Sequence, residues 1–326
     1  MKNKYQWKSD LATLLQCYLT EKQMTGYKFK NQERDLERFD DYFYRNGYSG
    51  IRLTKPMTDG FIYGPDYEKS STHYKKEVLL SSFAEFLIRQ GSPVYVPPVK
   101  SAPEKRCLHI PYIFSNEELR RFFLAIDHYP QTTHTNRNMI DPLLFRLLYG
   151  SGLRVSEALN LQCQDIDLDA GIITILHAKN NRDRLVPLAT SLAEKFRKLF
   201  SELHTCSDKS TYFFISPTGG RLDKSTVYCR FRDYLLMAEI SHTQRGPRVH
   251  DLRHVFAVHC LKKWVLSGGE LTTMMPYLAA YMGHADFRGT QYYLRLTTDL
   301  YPELISRTEA EFGYVIPESG DCDERK

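Results

Sequence analysis

The sequence predicts an α-rich α+β chain: an N-terminal helical domain, then a mainly helical second domain with a small antiparallel sheet. Three observations predict it. Apolar residues of the first hundred positions recur at helical spacing, and each run stops at a glycine. Five prolines (Pro93, Pro97, Pro98, Pro103, Pro111) crowd the stretch from Ser92 to Pro111 and read as a stiff, extended linker. Two short β-prone runs, Ile172 to Leu176 and Leu185 to Leu188, flank the polar tip Lys179 to Arg184 as a hairpin does.

Taken in order, Ser9 is placed to cap a helix carrying Leu11, Leu14, Leu15 and Tyr18, with Gly26 at its end. A second helix is expected over Lys30 to Arg45, with Leu36, Phe39, Tyr42 and Phe43 on one side and Gly47 after it. A third is expected near Thr72 to Gln90, burying Val78, Leu79, Phe83, Phe86 and Leu87 before Gly91. Past the linker, Ser115 and Glu118 form a capping box ahead of Leu119, Phe122, Phe123 and Leu124. Asp141 followed by Pro142 reads as a helix start, and Gly150-Ser151-Gly152 as its stop. Tyr212 to Ile215 offers a third strand. Helices are expected over Ser225 to Met237, His250 to Leu266, Met274 to Met282 and from Thr290 onward. The boundaries that follow are 1–95 for the first domain, 96–110 for the linker, 111–312 for the second domain and 313–326 for a C-terminal tail, with disorder expected over Ser319 to Lys326.

At 326 residues and 42% hydrophobic the chain can bury two cores, and length favours two domains. The net charge of +5 is unevenly placed. Residues 1–109 hold 18 Lys/Arg against 13 Asp/Glu, and the remainder holds 26 against 26. A basic leading half beside a neutral second half suits a protein whose first domain grips a polyanion. Seven cysteines, an odd number with no Cys-x-x-Cys pair, fit neither a disulfide framework nor a zinc knuckle. The opening MKNKYQWKSD has no apolar h-region, and no apolar run reaches membrane-span length, so a cytoplasmic setting is the default expectation.

The chemistry-bearing residues lie in four segments: GLRVSEALNL (Gly152 to Leu161), HAKNNRDRLVPL (His177 to Leu188), HDLRHVFAVH (His250 to His259) and MGHADFRGTQYY (Met282 to Tyr293). Arg154 follows a glycine turn, where its guanidinium can emerge at a helix N-terminus that already favours anions. Glu157, three residues on, can hold Arg154 or a nearby histidine. His250 and Arg253 share one helical face, with His254 adjoining. His250 and His254 also have the i, i+4 spacing of metal ligands. However, Asp251 stands where a metal-site glutamate is expected, and Arg253 would repel a cation. No metal and no other cofactor is expected. Two arginines, a lysine and the histidines would cradle one phosphate, and a tyrosine could attack it.

Together and in this order these segments resemble the tyrosine recombinases, the phage-integrase family, over roughly Pro111 to Phe312. The resemblance implies that the first domain is the core-binding, SAM-like domain that clamps one face of a DNA duplex. It selects Tyr293, by its spacing from His284, as the nucleophile over the adjacent Tyr292. It casts Arg154, Arg253 and His284 as donors to the phosphate, His250 as the general base and Lys179 as the proton donor to the leaving oxygen. Ala178 and Asn180 stand where the family often has glycines, and Arg182 and Arg184 share the loop. A phenol with pKa near 10 is less than about 1% ionised at neutrality, so freeing it costs roughly 4 kcal/mol that a base or a positive field must offset. The implied activity is site-specific recombination of double-stranded DNA through a 3′-phosphotyrosyl link. Homotetramers on DNA and accessory or partner recombinases are implied as well. Leu300, Leu304, Ile305 and Phe312 would form a face that docks on a neighbour or folds back on its own domain. A type IB topoisomerase shares the phosphate chemistry, and a DNA-binding regulator without cleavage is the alternative from another class.

Overall fold

The computed structural model describes residues 5–26, 29–64, 67–100, 111–131, 135–176, 183–243, 246–284, 290 and 293. The chain divides into two compact units, Met1–His109 and Ile110–Lys326.

Unit 1 packs four helices: α1 (Ala12–Met24), α2 (Lys30–Arg45), α3 (Lys55–Tyr63) and α4 (Ser70–Arg89). Helix α3 was absent from the sequence expectation. Its apolar positions Met57, Phe61 and Ile62 are too few for a periodic signal, yet all are buried. The core joins Leu15, Tyr18, Leu36, Phe39, Phe43, Phe61, Leu80, Phe83 and Leu87. Val78 belongs to the solvent side, 42% exposed, because the buried face of α4 is set by Leu79, Leu80, Phe83, Phe86 and Leu87, and Val78 falls one step round from it. Ser9 does not cap α1 directly. Its hydroxyl accepts from Leu11 N at 3.2 Å and donates to Asp40 at 2.5 Å, so it anchors the turn before the helix.

Asp40 is fully buried and also accepts from Tyr5 Oη and Lys8 N at 2.8 Å and from Ser9 N at 3.1 Å. Removing its carboxylate strands several buried donors at once. Asp40→Ala should therefore cost unit 1 about 3 kcal/mol, read as a lowered urea midpoint at unchanged m-value.

Unit 2 runs α5 (Asn116–Asp127), α6 (Arg137–Gly150), α7 (Val155–Asn160), β1 (Ile166–Asp167), β2 (Ile172–Ile175), β3 (Arg184–Pro187), α8 (Thr190–Leu203), α9 (Lys224–Met237), α10 (Asp251–Leu266) and α11 (Leu271–Met282). Ser115 and Glu118 make the expected capping box on α5. The strands form an antiparallel sheet in the order β1-β2-β3, with Ile173 opposite both Ile166 and Val186. The β2–β3 hairpin falls where expected, but the third strand is Ile166–Asp167. Tyr212 and Ile215 make isolated bridges to Gln162 and Arg221, because Phe213 and Phe214 are both drawn into the core and leave no face to alternate. Phe122, Phe145, Phe231 and Tyr234 interlock at the centre of that core, mostly edge to face with Phe145 and Phe231 tilted, at ring centroids 5.2–6.3 Å apart.

Asp141 is not a cap. Helix α6 starts a turn earlier, at Arg137, and carries Pro142 inside it. Tertiary bonds hold that extra turn. Arg137 donates to Tyr234 Oη and Asp233, both at 2.8 Å, and Asp141, wholly buried, accepts from Arg230 at 2.8 Å and Tyr234 at 2.7 Å. Helix α8 was also not anticipated, though Leu192, Phe196 and Leu199 give it an apolar stripe. The expected helix from Thr290 onward lies outside the described residues except at Thr290 and Tyr293. So do Leu300, Leu304, Ile305, Phe312 and the tail.

Candidate active site

The site forms where the chain turns from α6 into α7 and meets the start of α10 and the end of α11. Gly152 makes the first turn with φ +58°, a left-handed conformation that suits glycine. A Cβ there would lie 2.5 Å from the Phe256 ring. Arg154 follows in extended conformation (φ −71°, ψ 144°), just ahead of the six-residue α7. Its Nη1 donates to Glu157 Oε1 at 2.7 Å, and its backbone N to Glu157 Oε2 at 3.0 Å. Its Nη2 reaches Gly283 O at 3.3 Å, beside His284.

Arg253 projects from the first turn of α10 and is 2% exposed, extreme burial for a guanidinium. Nη1 donates to Gly152 O at 2.5 Å and Nη2 to Met282 O at 2.6 Å, so one side chain ties the α6–α7 turn to the end of α11. Burial, then the neighbouring Arg154 charge, pulls its pKa down to about 10, still well above neutrality.

His250 precedes α10, and its ring meets that of His254 edge to face at 4.9 Å. Burial and then the Arg253, Arg154 and Lys224 charges lower the His250 pKa to about 4, so at neutral pH this imidazole is uncharged. His284 follows Gly283, whose φ of +66° ends α11. The His284 backbone N–H donates to Ala279 O at 2.9 Å, and its Nδ1 lies 2.8 Å from Thr290 Oγ1. Tyr293, 3% exposed, sits between the two imidazoles, 5.5 Å from the His254 ring centre and 6.0 Å from that of His284, with which it stacks. It belongs to a buried cluster with Ala257, Val258, Leu261, Met275, Leu278 and Met282.

The structure thus brings Arg154, Glu157, His250, Arg253, His254, His284 and Tyr293 into one cluster, although 139 positions separate Arg154 from Tyr293. Lys179 lies outside the described residues. Two members escaped sequence reasoning. Arg184 joins Glu157 from β3, and Thr290 holds the His284 ring. The signal for Arg184 was present as an arginine beginning the second hairpin strand, but only spatial proximity distinguishes it from Arg182.

Residues 114–299 match the phage integrase family. The protein y4rB of Sinorhizobium fredii is 30% identical over 92% of this chain and 98% of its own length. Tyrosine recombinase XerA of Pyrococcus horikoshii is 30% identical over 91% of this chain and 94% of its own. Among solved structures, XerH site-specific recombinase bound to a palindromic difH substrate shares the fold. Its TM-score is 0.61 at 21% identity, covering 84% of this chain and 78% of that one.

Proposed function

The chain belongs to the phage integrase family and is a tyrosine site-specific recombinase, and from that premise we propose that Tyr293 cleaves one strand of a DNA recombination site. The observation that carries the assignment is the Tyr293 ring, held between His254 and His284 beside two buried or half-buried arginines. The Tyr293 oxygen attacks phosphorus, the bond to the 5′ oxygen breaks, and a 3′-phosphotyrosyl ester forms. One phosphodiester replaces another, so the step is nearly isoenergetic and resealing can run the same path backward.

Each neighbour has a task in this reading. Arg154 and Arg253 donate to the non-bridging oxygens. Every Nη carries two hydrogens, so the carbonyl and carboxylate bonds described above leave each guanidinium a donor for phosphate. His250, neutral at working pH, takes the phenolic proton. With Nδ1 engaged by Thr290 Oγ1, the His284 ring has Nε2 left to donate to phosphate. His254 adjoins both His250 and Tyr293 as a supporting ring. Lys179 protonates the leaving 5′ oxygen. Unit 1 serves as the core-binding domain, consistent with its excess of basic residues. Four copies on two duplexes would exchange the strands, with accessory or partner recombinases at sites that require them. Acting on DNA, the protein would work at the nucleoid. Among the described residues no helix is long and apolar enough to cross a membrane.

The test uses a duplex recovered by selecting genomic fragments that bind the purified protein, then nicked beside the cleavage point so that resealing fails. A covalent protein–DNA adduct esterified at Tyr293 by peptide mapping supports the reading, and an adduct at another side chain overturns it. The pH profile gives a second check. An ordinary imidazole would protonate near pH 6.5 and lose its base function there. Because the free protein holds His250 near 4, kcat/KM for cleavage should stay level down through pH 6 and fall only toward pH 4.

A further inference from the structure

Three successive carbonyls at the end of α11 each accept from a different arginine. Arg184 Nε donates to Tyr281 O at 2.9 Å, Arg253 Nη2 to Met282 O at 2.6 Å and Arg154 Nη2 to Gly283 O at 3.3 Å. The last carbonyls of a helix lack intrahelical donors and carry the negative end of its dipole, so guanidiniums suit them. Arg184 does more than the other two. Its Nη2 donates to Glu157 Oε2 at 2.8 Å and its Nη1 approaches Glu157 Oε1 at 3.3 Å, a two-pronged grip on a carboxylate whose side chain is 5% exposed. Gly283 permits this approach, since a Cβ there would stand 2.8 Å from Arg184 Nη1. One side chain from β3 therefore fastens both Glu157 and the helix end that presents His284.

The charge balance explains why the second arginine matters. Were Glu157 paired with Arg154 alone, its full negative charge would fall on the guanidinium required by phosphate. Sharing the carboxylate with Arg184 sets three guanidiniums, rather than two, against that one negative charge and draws part of it away from Arg154. We propose that Arg184 is a positioning residue for strand cleavage, aiming Arg154 and His284 at the phosphate through its bonds to Glu157 and Tyr281 O. It touches no substrate itself. The proposal rests on the reading of this cluster as the phosphate site.

The charged groups facing Glu157 are Arg154 and Arg184 directly, with Arg253 and His250 close enough to feel its charge. Burial pushes the Glu157 carboxyl up, but the Arg184 and Arg154 bonds outweigh it and bring it to about 2. Removing Arg184 leaves the burial in place, so the carboxyl should rise and protonate within the accessible acid range. A packing role alone would not move that limb.

Single-turnover cleavage of the nicked duplex, with binding measured on the same DNA, tests the proposal in the full-length protein. Arg184→Met should slow cleavage on the order of 10²-fold, as misplacement of reacting groups does, while Kd stays within about threefold. Its acid limb should lie above the wild-type fall toward pH 4 that His250 sets, because Glu157 then protonates first. Arg184→Lys, which keeps the charge and loses the two-pronged geometry, should recover part of the rate and carries the comparison if the methionine variant does not fold. Adding Glu157→Gln to Arg184→Met should slow cleavage by a smaller factor than Glu157→Gln does in the wild-type background, since the grip shared by Arg184 and Glu157 is already lost and only the Glu157 bonds to Arg154 remain to be removed. Wild-type rates in Arg184→Met, or a loss that tracks only the folded fraction with an unmoved pH profile, overturn the proposal. An adduct that persists in Tyr293→Phe sinks the parent reading, and the proposal with it, whatever Arg184 does.

Discussion

Tyr293→Phe should lose strand cleavage by at least about 10⁴-fold, because phenylalanine keeps the ring and deletes the attacking atom. The ring supplies the packing within the cluster that holds Met275, Leu278 and Met282 and adjoins the His254 and His284 rings, so the variant should fold and bind DNA. A lost hydroxyl in a buried setting costs only about 1 kcal/mol of stability, small against the kinetic effect. The measurement is adduct formation on the nicked duplex alongside a binding titration. Tight binding with no adduct is the expected pair of results. Residual adduct in Tyr293→Phe would point to another nucleophile, Tyr292 first among them.

Arg253 should come next in size. Arg253→Lys keeps a positive charge yet cannot span Gly152 O and Met282 O while also presenting two donors to phosphate, so the cleavage rate should fall about 10²- to 10³-fold. Arg253→Ala should do the same and also unfold more readily. It leaves two buried carbonyls without their donor and opens a cavity where a 2%-exposed side chain stood, together costing about 3 kcal/mol or more. The two variants separate chemistry from architecture. Thermal unfolding reports the second, and single-turnover rate at saturating DNA reports the first. A lysine variant that cleaves at the wild-type rate would remove Arg253 from the phosphate.

The helical periods of α2, α4 and α10 were legible because their apolar residues repeat at the helix spacing over two or more turns. The short α3 and the two-residue β1 offered no such run, and they form because neighbouring elements supply their partners. Asp141-Pro142 illustrates a local signal overruled by its surroundings. As a dipeptide it reads as a helix start, yet Arg230 and Tyr234, with Arg137 3.6 Å away, draw Asp141 into the core and the helix begins ahead of it. Val78 illustrates a composition signal without phase, an apolar residue on an apolar-rich helix that nonetheless faces solvent.

For the site, the segments that hold Arg154, His250, Arg253, His284 and Tyr293, in that order, were enough to point to the family, and the proposed phosphate cradle is built from those side chains. What the sequence could not say is how the cradle holds itself together. Arg184 contributes through a salt bridge to Glu157, 27 positions away, and Thr290 through a hydrogen bond to a ring. Hydrogen-bond and ion-pair partners are set by packing distance rather than by position along the chain. Residue types are written in the sequence, and their mutual orientation exists only once α7, β3, α10 and α11 converge.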